Sequence, residues 1–333
     1  MLKAFARFRH SYEFWLLAGI LVVAVVLSVM TDTFLTLENL FDLLTENAYV
    51  GILCAGLMVV LISGGIDISF TATASVAQYI ALTVANAFPI GWLGVFLVAC
   101  AVGTTLGTVN AVVIYRFRMV AIIATIALLN VYFGLLIVFS GGSWIYKLPD
   151  WYMNGVNWFA VTGANGYTYS LNLQIIVLIF AFGCTWLLLR RTSIGRQIYA
   201  VGGNPDAAQR IGFNMFALSI VIYGYLGLMA GLASIVQAQL AQTVMPNALV
   251  GRELDVLAAV VLGGSSLNGG SGSVLGTILG LTLFALMRNG LVLVGVSSYW
   301  LQAVTGIVLI AAMSITAIQV RRAQFVRRTG GAK

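Results

Sequence analysis

Residues 48–62 read Ala-Tyr-Val-Gly-Ile-Leu-Cys-Ala-Gly-Leu-Met-Val-Val-Leu-Ile, an uncharged run that stops at Ser63-Gly64-Gly65-Ile66-Asp67. The run is continuous, whereas the strands of a membrane barrel alternate over ~10 residues. Working outward, similar apolar runs occupy 14–30, 69–88, 92–115, 120–139, 171–189, 215–237, 254–262, 273–287 and 299–320. The chain of 333 residues is 61% hydrophobic and 8% charged, against about 45–50% and about 25% in globular proteins. A soluble domain of this composition could not cover its surface, and disordered chains are charge-rich and apolar-poor. At about 20 apolar residues per span, the expectation is an all-α polytopic membrane protein, one transmembrane domain over 1–333 with about ten transmembrane helices.

The formal charge of +7 is concentrated in short breaks. Lys3, Arg7 and Arg9 precede the first run, and Arg116 and Arg118 follow the fourth. Arg190, Arg191, Arg196 and Arg210 follow the sixth, and Arg321, Arg322, Arg327, Arg328 and Lys333 end the chain. Ten spans with both termini cytoplasmic put these 14 of the 17 basic residues inside, as the positive-inside rule requires. The charge therefore reads as topology in a lipid bilayer, with no nucleic acid as partner. The basic tail before run 14–30 lacks a small-x-small cleavage site, so that run is expected to stay as an uncleaved first helix. Cys54, Cys100 and Cys184 each sit inside an apolar run, fit no metal spacing, and read as packing residues.

Gly64-Gly65 and Gly263-Gly264 each interrupt apolar helix on the same expected side, which hints at an internal duplication. Broken helices at matching positions suit a transport pathway, and paired glycines equally suit close helix packing. Asp67 could cap the next helix through its first free N–H groups, stand in the pathway or gate beside Ser69, or couple an ion. Within the cytoplasmic segment 190–213, Asn204 suits an N-cap, Pro205 the first helical position and Asp206 the positive helix end. Gly212 suits a left-handed exit. A capped helix between two spans needs something to dock on, and Arg196, Asn204, Pro205, Asp206, Gln209 and Arg210 are the candidate docking residues. The periplasmic loop 140–170 carries Trp144, Tyr146, Trp151, Tyr152, Trp158, Phe159, Tyr167 and Tyr169. Aromatics of this density mark the headgroup zone or stack on sugar rings.

Absences narrow the chemistry. None of the three lysines completes a G-x-x-x-x-G-K-[ST] loop, so nucleotide-driven work needs another polypeptide. The one histidine, His10, lies in the amino-terminal tail, and no catalytic or metal-ligating set is visible. Polar residues on apolar spans, namely Asn47, Gln78, Asn110, Asn130, Asn289 and Gln302, are candidates for a weakly polar pathway, or glue between helices.

Three segments stand together in order: Ile62-Ser-Gly-Gly-Ile-Asp-Ile-Ser69, Ile194-Gly-Arg-Gln-Ile-Tyr-Ala-Val-Gly-Gly-Asn-Pro-Asp-Ala-Ala-Gln-Arg-Ile-Gly212, and Gly251-Arg-Glu-Leu-Asp-Val-Leu-Ala-Ala-Val-Val-Leu-Gly-Gly264 with its continuation to Thr277. They resemble the permease subunit of bacterial monosaccharide ATP-binding-cassette importers of the ribose, xylose and galactose type, over essentially the whole chain. The resemblance implies an inner-membrane permease forming the translocation path for a monosaccharide or related polyol-like solute. It implies two permease chains, identical or homologous, two cytoplasmic ATPases carrying ATP and Mg, and a periplasmic sugar-binding protein, with no cofactor in this chain. The segment 204–212 would then be the coupling helix seated on the ATPase. Where relatives commonly have Val-Gly-Ser, this chain has Phe70-Thr71-Ala72. The competing expectations are an ion-coupled secondary transporter using Asp67 and a membrane-embedded enzyme such as an aspartyl protease, for which Asp67 has no obvious partner acid.

Overall fold

The structure, a computed structural model, describes residues 12–162, 168–297, 299–307, 310 and 314. Both basic tails and Tyr167 therefore lie outside the described residues, as does most of the expected tenth span beyond 307.

Helix α1 (Tyr12–Met30) is followed by a short amphipathic helix α2 (Leu37–Glu46), which begins where the Thr36 side chain accepts from the Asn39 N–H. The acidic stretch after the first span thus folds as a helix, bent by 48° at Asn47 from α3 (Ala48–Ile62). Next come α4 (Phe70–Ala87), α5 (Gly91–Arg116) and α6 (Ala121–Ser140). A short helix α7 (Asp150–Met153) and strands β1 (Asn157–Thr162) and β2 (Thr168–Asn172) precede α8 (Leu173–Arg191). Then follow α9 (Ser193–Gly203), α10 (Pro205–Arg210), α11 (Met215–Ala241), α12 (Glu253–Leu262) and α13 (Val274–Leu293). Residues 299–307 are helical again.

One expectation is met in part and one needs correction. Among the described residues six helices are long and apolar enough to cross a membrane, or seven if the bent pair α2–α3 is one span, which accounts for part of the ten expected. The 10-residue α12 is too short to span alone, and α4 carries Thr71, Thr73, Ser75 and Gln78, which lower its hydropathy. The architecture is also not purely helical, because β1 and β2 pair antiparallel within the aromatic loop.

Helix α3 has no polar face, and every residue of it except Tyr49 is buried. It is the central post, packed by α8, α11 and α12. Helices α5 and α11 make the most intimate pair through Gly103 and Gly107 on one side and Gly227 and Gly231 on the other. A Cβ at Gly103 or Gly227 would fall inside 3.0 Å of the facing backbone carbonyl. Small residues four apart allow backbones to approach this closely, the usual device where lipid offers no hydrophobic drive between helices.

The elements define two ends of the bundle. At one, Tyr115 of α5 meets Phe216 of α11 with ring centroids 5.1 Å apart. Arg116, Arg190 and both glycine breaks gather at this basic end. At the other, Ile145 bridges to Val244 and the first part of the aromatic loop packs back on the helix ends. Tyr152, fully buried, stacks on Trp92 at 4.9 Å and donates its hydroxyl to the Ile235 carbonyl at 2.6 Å. Tyr152 is thus a packing residue, its hydroxyl pushed well above the usual tyrosine range by burial, while Trp144 and Tyr146 remain exposed.

Candidate functional site

The two breaks are built alike. Helix α3 ends with Gly64 in the left-handed region (φ +85°), its N–H on Leu61 O at 2.9 Å and the Gly65 N–H on Val60 O at 3.1 Å. Helix α12 ends with Gly264 (φ +83°), its N–H on Val261 O at 2.9 Å and the Ser265 N–H on Val260 O at 3.3 Å. Both are Schellman closures, which satisfy the last carbonyls and need a residue that accepts positive φ. Gly64 and Gly264 thus do locally the same work, once at each break.

The breaks meet each other and the segment between spans. The Gly270 N–H donates to Ile62 O at 2.8 Å, joining the second break to the end of α3. The last turn of α9 lies on that bond. A Cβ at Gly202 would stand 2.5 Å from Gly270 N and closer still to Ile62 O. Tyr199, one turn earlier, donates to the Gly272 carbonyl at 2.8 Å. Burial raises the Tyr199 hydroxyl above its ordinary range, with Arg190 drawing it back, so it stays a donor at neutral pH.

Helix α9, capped by Thr192 on the Gly195 N–H at 3.0 Å, was not foreseen. The short helix after it was. Asn204 accepts from the Ala207 N–H at 3.0 Å, Pro205 opens α10, and Gly212 exits at φ +96°. Arg196, Asn204, Pro205, Asp206, Gln209, Arg210 and Ile211 are all exposed, while Ala208 is buried against the bundle. The result is a surface ledge with one anchored face and one free face.

Asp67, 2% exposed, is the hub of the first break. Its Oδ1 accepts from the Ser69 N–H and the Ser69 hydroxyl, each at 2.7 Å, and its Oδ2 accepts from Asn110 Nδ2 at 3.0 Å. Asn110 Nδ2 also reaches Ser69 Oγ at 2.7 Å, and Asn110 Oδ1 accepts from the Tyr132 hydroxyl at 2.8 Å. Thr125 accepts from the Ile68 N–H at 3.2 Å. Freed backbone groups at membrane depth need such substitutes. Asp67 therefore closes a turn on Ser69, the residue that precedes α4, and ties the break to α5, with Tyr132 and Thr125 extending the tie to α6. None of these partners is charged. Phe70, the bulky departure, is buried in the core at the first position of α4.

The other candidates separate. Gln78 donates to Ser234 O at 2.8 Å and Gln237 Oε1 at 2.6 Å, holding α4 to α11. Asn289 and Asn39 exchange amide bonds between α13 and α2, and Asn47 returns to Leu43 O within its own bend. Asn130 is exposed and bonds back to Ile126 O at 2.8 Å, apart from the hub. Gln302 lies near a charged cluster that the sequence reading missed. There Arg288 and Arg252 both reach Asp255 Oδ2, at 2.6 and 3.2 Å. The signal was available: Arg288 stands inside an apolar helix, where an arginine is expensive and needs a partner. The expected span ended one residue short of it, at 287, whereas α13 runs to Leu293.

Over residues 39–313 the chain matches the family described as Branched-chain amino acid transport system / permease component. It is 31% identical over 312 residues to the ribose import permease protein RbsC of Escherichia coli (strain K12), covering 92% of this chain and 96% of that protein. The Bacillus subtilis (strain 168) ribose import permease protein RbsC is 33% identical over 297 residues, 89% of each chain. The galactose/methyl galactoside import permease protein MglC of Salmonella typhimurium is 27% identical over 335 residues, 94% of this chain and 98% of that protein. No solved structure matches the chain.

Proposed function

The chain belongs to the Branched-chain amino acid transport system / permease component family, and on that premise we propose how it works as the permease subunit of a monosaccharide importer. The observation that carries the reading is the junction at Gly202, where an exposed capped ledge is locked to both helix breaks. A cytoplasmic ATPase, which would hold ATP and Mg, seats on α10 through Asp206, Gln209 and Arg210, with Arg196 of α9 beside them. When two ATPases close, the ledge moves, α9 carries that motion to Ile62 and Gly270, and the breaks pivot. The Asp67–Asn110 tie passes the first pivot to α5, and Tyr132 passes it to α6.

In this reading the described helices are part of a ten-span subunit of the bacterial inner membrane with both termini cytoplasmic. The basic clusters support that orientation through the positive-inside bias. A second permease chain completes the path, and a periplasmic sugar-binding protein docks over 140–170 and 237–251. Asp67 serves as a structural hub and not as an ion-coupling group, because its oxygens are already taken by Ser69 and Asn110.

The test is to tag the chain, extract it gently from native membranes and identify what comes with it by mass spectrometry. A P-loop ATPase in matched amounts is the expected result, lost when Arg210→Glu and Asp206→Lys are combined. A chain that is recovered alone from several mild detergents, yet still imports sugar, would overturn the reading.

A further inference from the structure

A cavity of about 450 Å³ opens between α12, α13, the loop before α12 and the helical residues 299–307. Its size lies in the range of small-molecule sites, ~300–1,000 Å³. Unlike the lipid-facing surface around it, its lining is rich in hydrogen-bonding groups: Arg252, Asp255, Arg288, Tyr299, Gln302 and Thr305. Both guanidinium groups converge on one oxygen of Asp255. The side chains of Arg252 and Arg288 are 37% and 29% exposed, so donors remain to face the cavity.

Glu253, beside Arg252, accepts from the Gly251 N–H at 3.1 Å and from the Thr71 hydroxyl of α4. Further along α4, Thr73 Oγ1, Ser75 Oγ and Gln78 Oε1 are buried with no protein partner. Buried polar atoms are nearly always paired. These three orphans lie on α4, which the Thr71–Glu253 bond joins to the start of α12, next to Arg252 of the cavity wall.

We infer that this cavity is a binding subsite for a neutral polyhydroxylated solute on its way through the permease. The chemistry selects that class. A hydroxyl group both donates and accepts, and the lining offers both, with the arginines donating, Asp255 accepting, and Gln302, Thr305 and Tyr299 doing either. An anion would use the arginines and be repelled by Asp255. The assignment rests on the transport reading above, which places this end of the bundle outside.

The test uses the complete transporter in native membrane vesicles, with Cys54, Cys100 and Cys184 replaced by alanine. Ala248→Cys places a thiol on the cavity wall, and Asn247→Cys places one beside it on the exposed surface. A membrane-impermeant methanethiosulfonate reagent, added from outside, should label both. D-ribose or D-galactose at millimolar concentration should slow only the Ala248→Cys reaction, by the factor 1 + [sugar]/Kd, roughly tenfold near saturation. Gln302→Leu, which leaves the Asp255 ion pairs intact, should remove the protection and keep the labelling.

Labelling at Ala248→Cys that is absent, or unchanged by either sugar, would overturn the subsite. Protection by phosphate or gluconate but by neither sugar would overturn the solute class. Sugar uptake in the same vesicles is scored separately. Uptake without protection refutes the cavity alone, and absent uptake counts against the transport reading alone.

Discussion

Replacing Gly202 by alanine tests the junction with one methyl group. The new Cβ would stand 2.5 Å from Gly270 N and nearer still to Ile62 O, where ordinary contact begins at 3.4 Å. The breaks must therefore recede by at least roughly 0.9 Å, and both obstacles are backbone, so no side chain can rotate away. The Gly270–Ile62 hydrogen bond at 2.8 Å lies where the methyl enters. Overpacking costs about 1–3 kcal/mol, and a buried donor left unpaired about 1–3 kcal/mol more. Gly203→Ala is the matched control, since its Cβ would meet nothing within 4 Å. In proteoliposomes holding the full transporter, Gly202→Ala should cut sugar uptake by about tenfold or more, the equivalent of ~1.4 kcal/mol, with ATP hydrolysis little changed. Gly203→Ala should behave as the parent. Uptake by Gly202→Ala within twofold of the parent at equal protein, or equal loss in both variants, would refute the argument.

Three further outcomes follow from the geometry. Asp67→Asn keeps the volume but turns an acceptor into a donor facing Ser69 and Asn110, so thermal unfolding should show a loss of about 1–2 kcal/mol. Uptake by the parent chain should be indifferent to a protonophore, and a dependence on the proton gradient that Asp67→Asn abolishes would restore the ion-coupled alternative. Gly227→Ala forces α5 from α11 and should destabilise by about 1–3 kcal/mol, whereas Gly183→Ala, with open space around its Cβ, should be neutral or stabilising in the same melting assay. Asn204→Ala removes the cap of α10, worth about 1 kcal/mol. It should raise hydrogen exchange across 205–210 and weaken ATPase attachment while leaving the melting of the membrane helices unchanged.

Much of the bundle was legible because apolar runs and their stops are written locally. The run 48–62 coincides with α3, and the runs ending near Tyr115 and Phe139 lie within a residue or two of α5 and α6. The cap at Asn204, the exit at Gly212 and the two breaks were legible too, each resting on one residue's backbone preference. What was not legible depends on partners distant in sequence. Helix α13 passes through Arg288 because Asp255, 33 residues earlier, meets the guanidinium; without that partner a charge reads as an end. Helix α9 holds three glycines and looks like a loop, yet its last turn is ordered by Ile62 and Gly270. Asn110 read as one polar residue among six, and only the fold puts it within reach of Asp67.

The same distinction explains why the junction is made of glycine. Side-chain packing between moving helices must be undone and rebuilt at each step, because close-packed interiors are bistable and not continuously deformable. At the contact of Gly202 with Ile62 and Gly270 there is no side chain on α9 to repack, and the hydrogen bond holding the breaks together runs between backbone atoms. Such a contact transmits displacement at short range while leaving each Schellman-closed helix end free to pivot about its own glycine. The hub at Asp67 has the opposite construction. Four side chains, those of Asp67, Ser69, Asn110 and Tyr132, fix one geometry through directional bonds. In the proposed mechanism, motion that enters through the pliant contact would reach α5 and α6 as rigid displacement of the hub, since breaking it would strand an acid that only these partners satisfy.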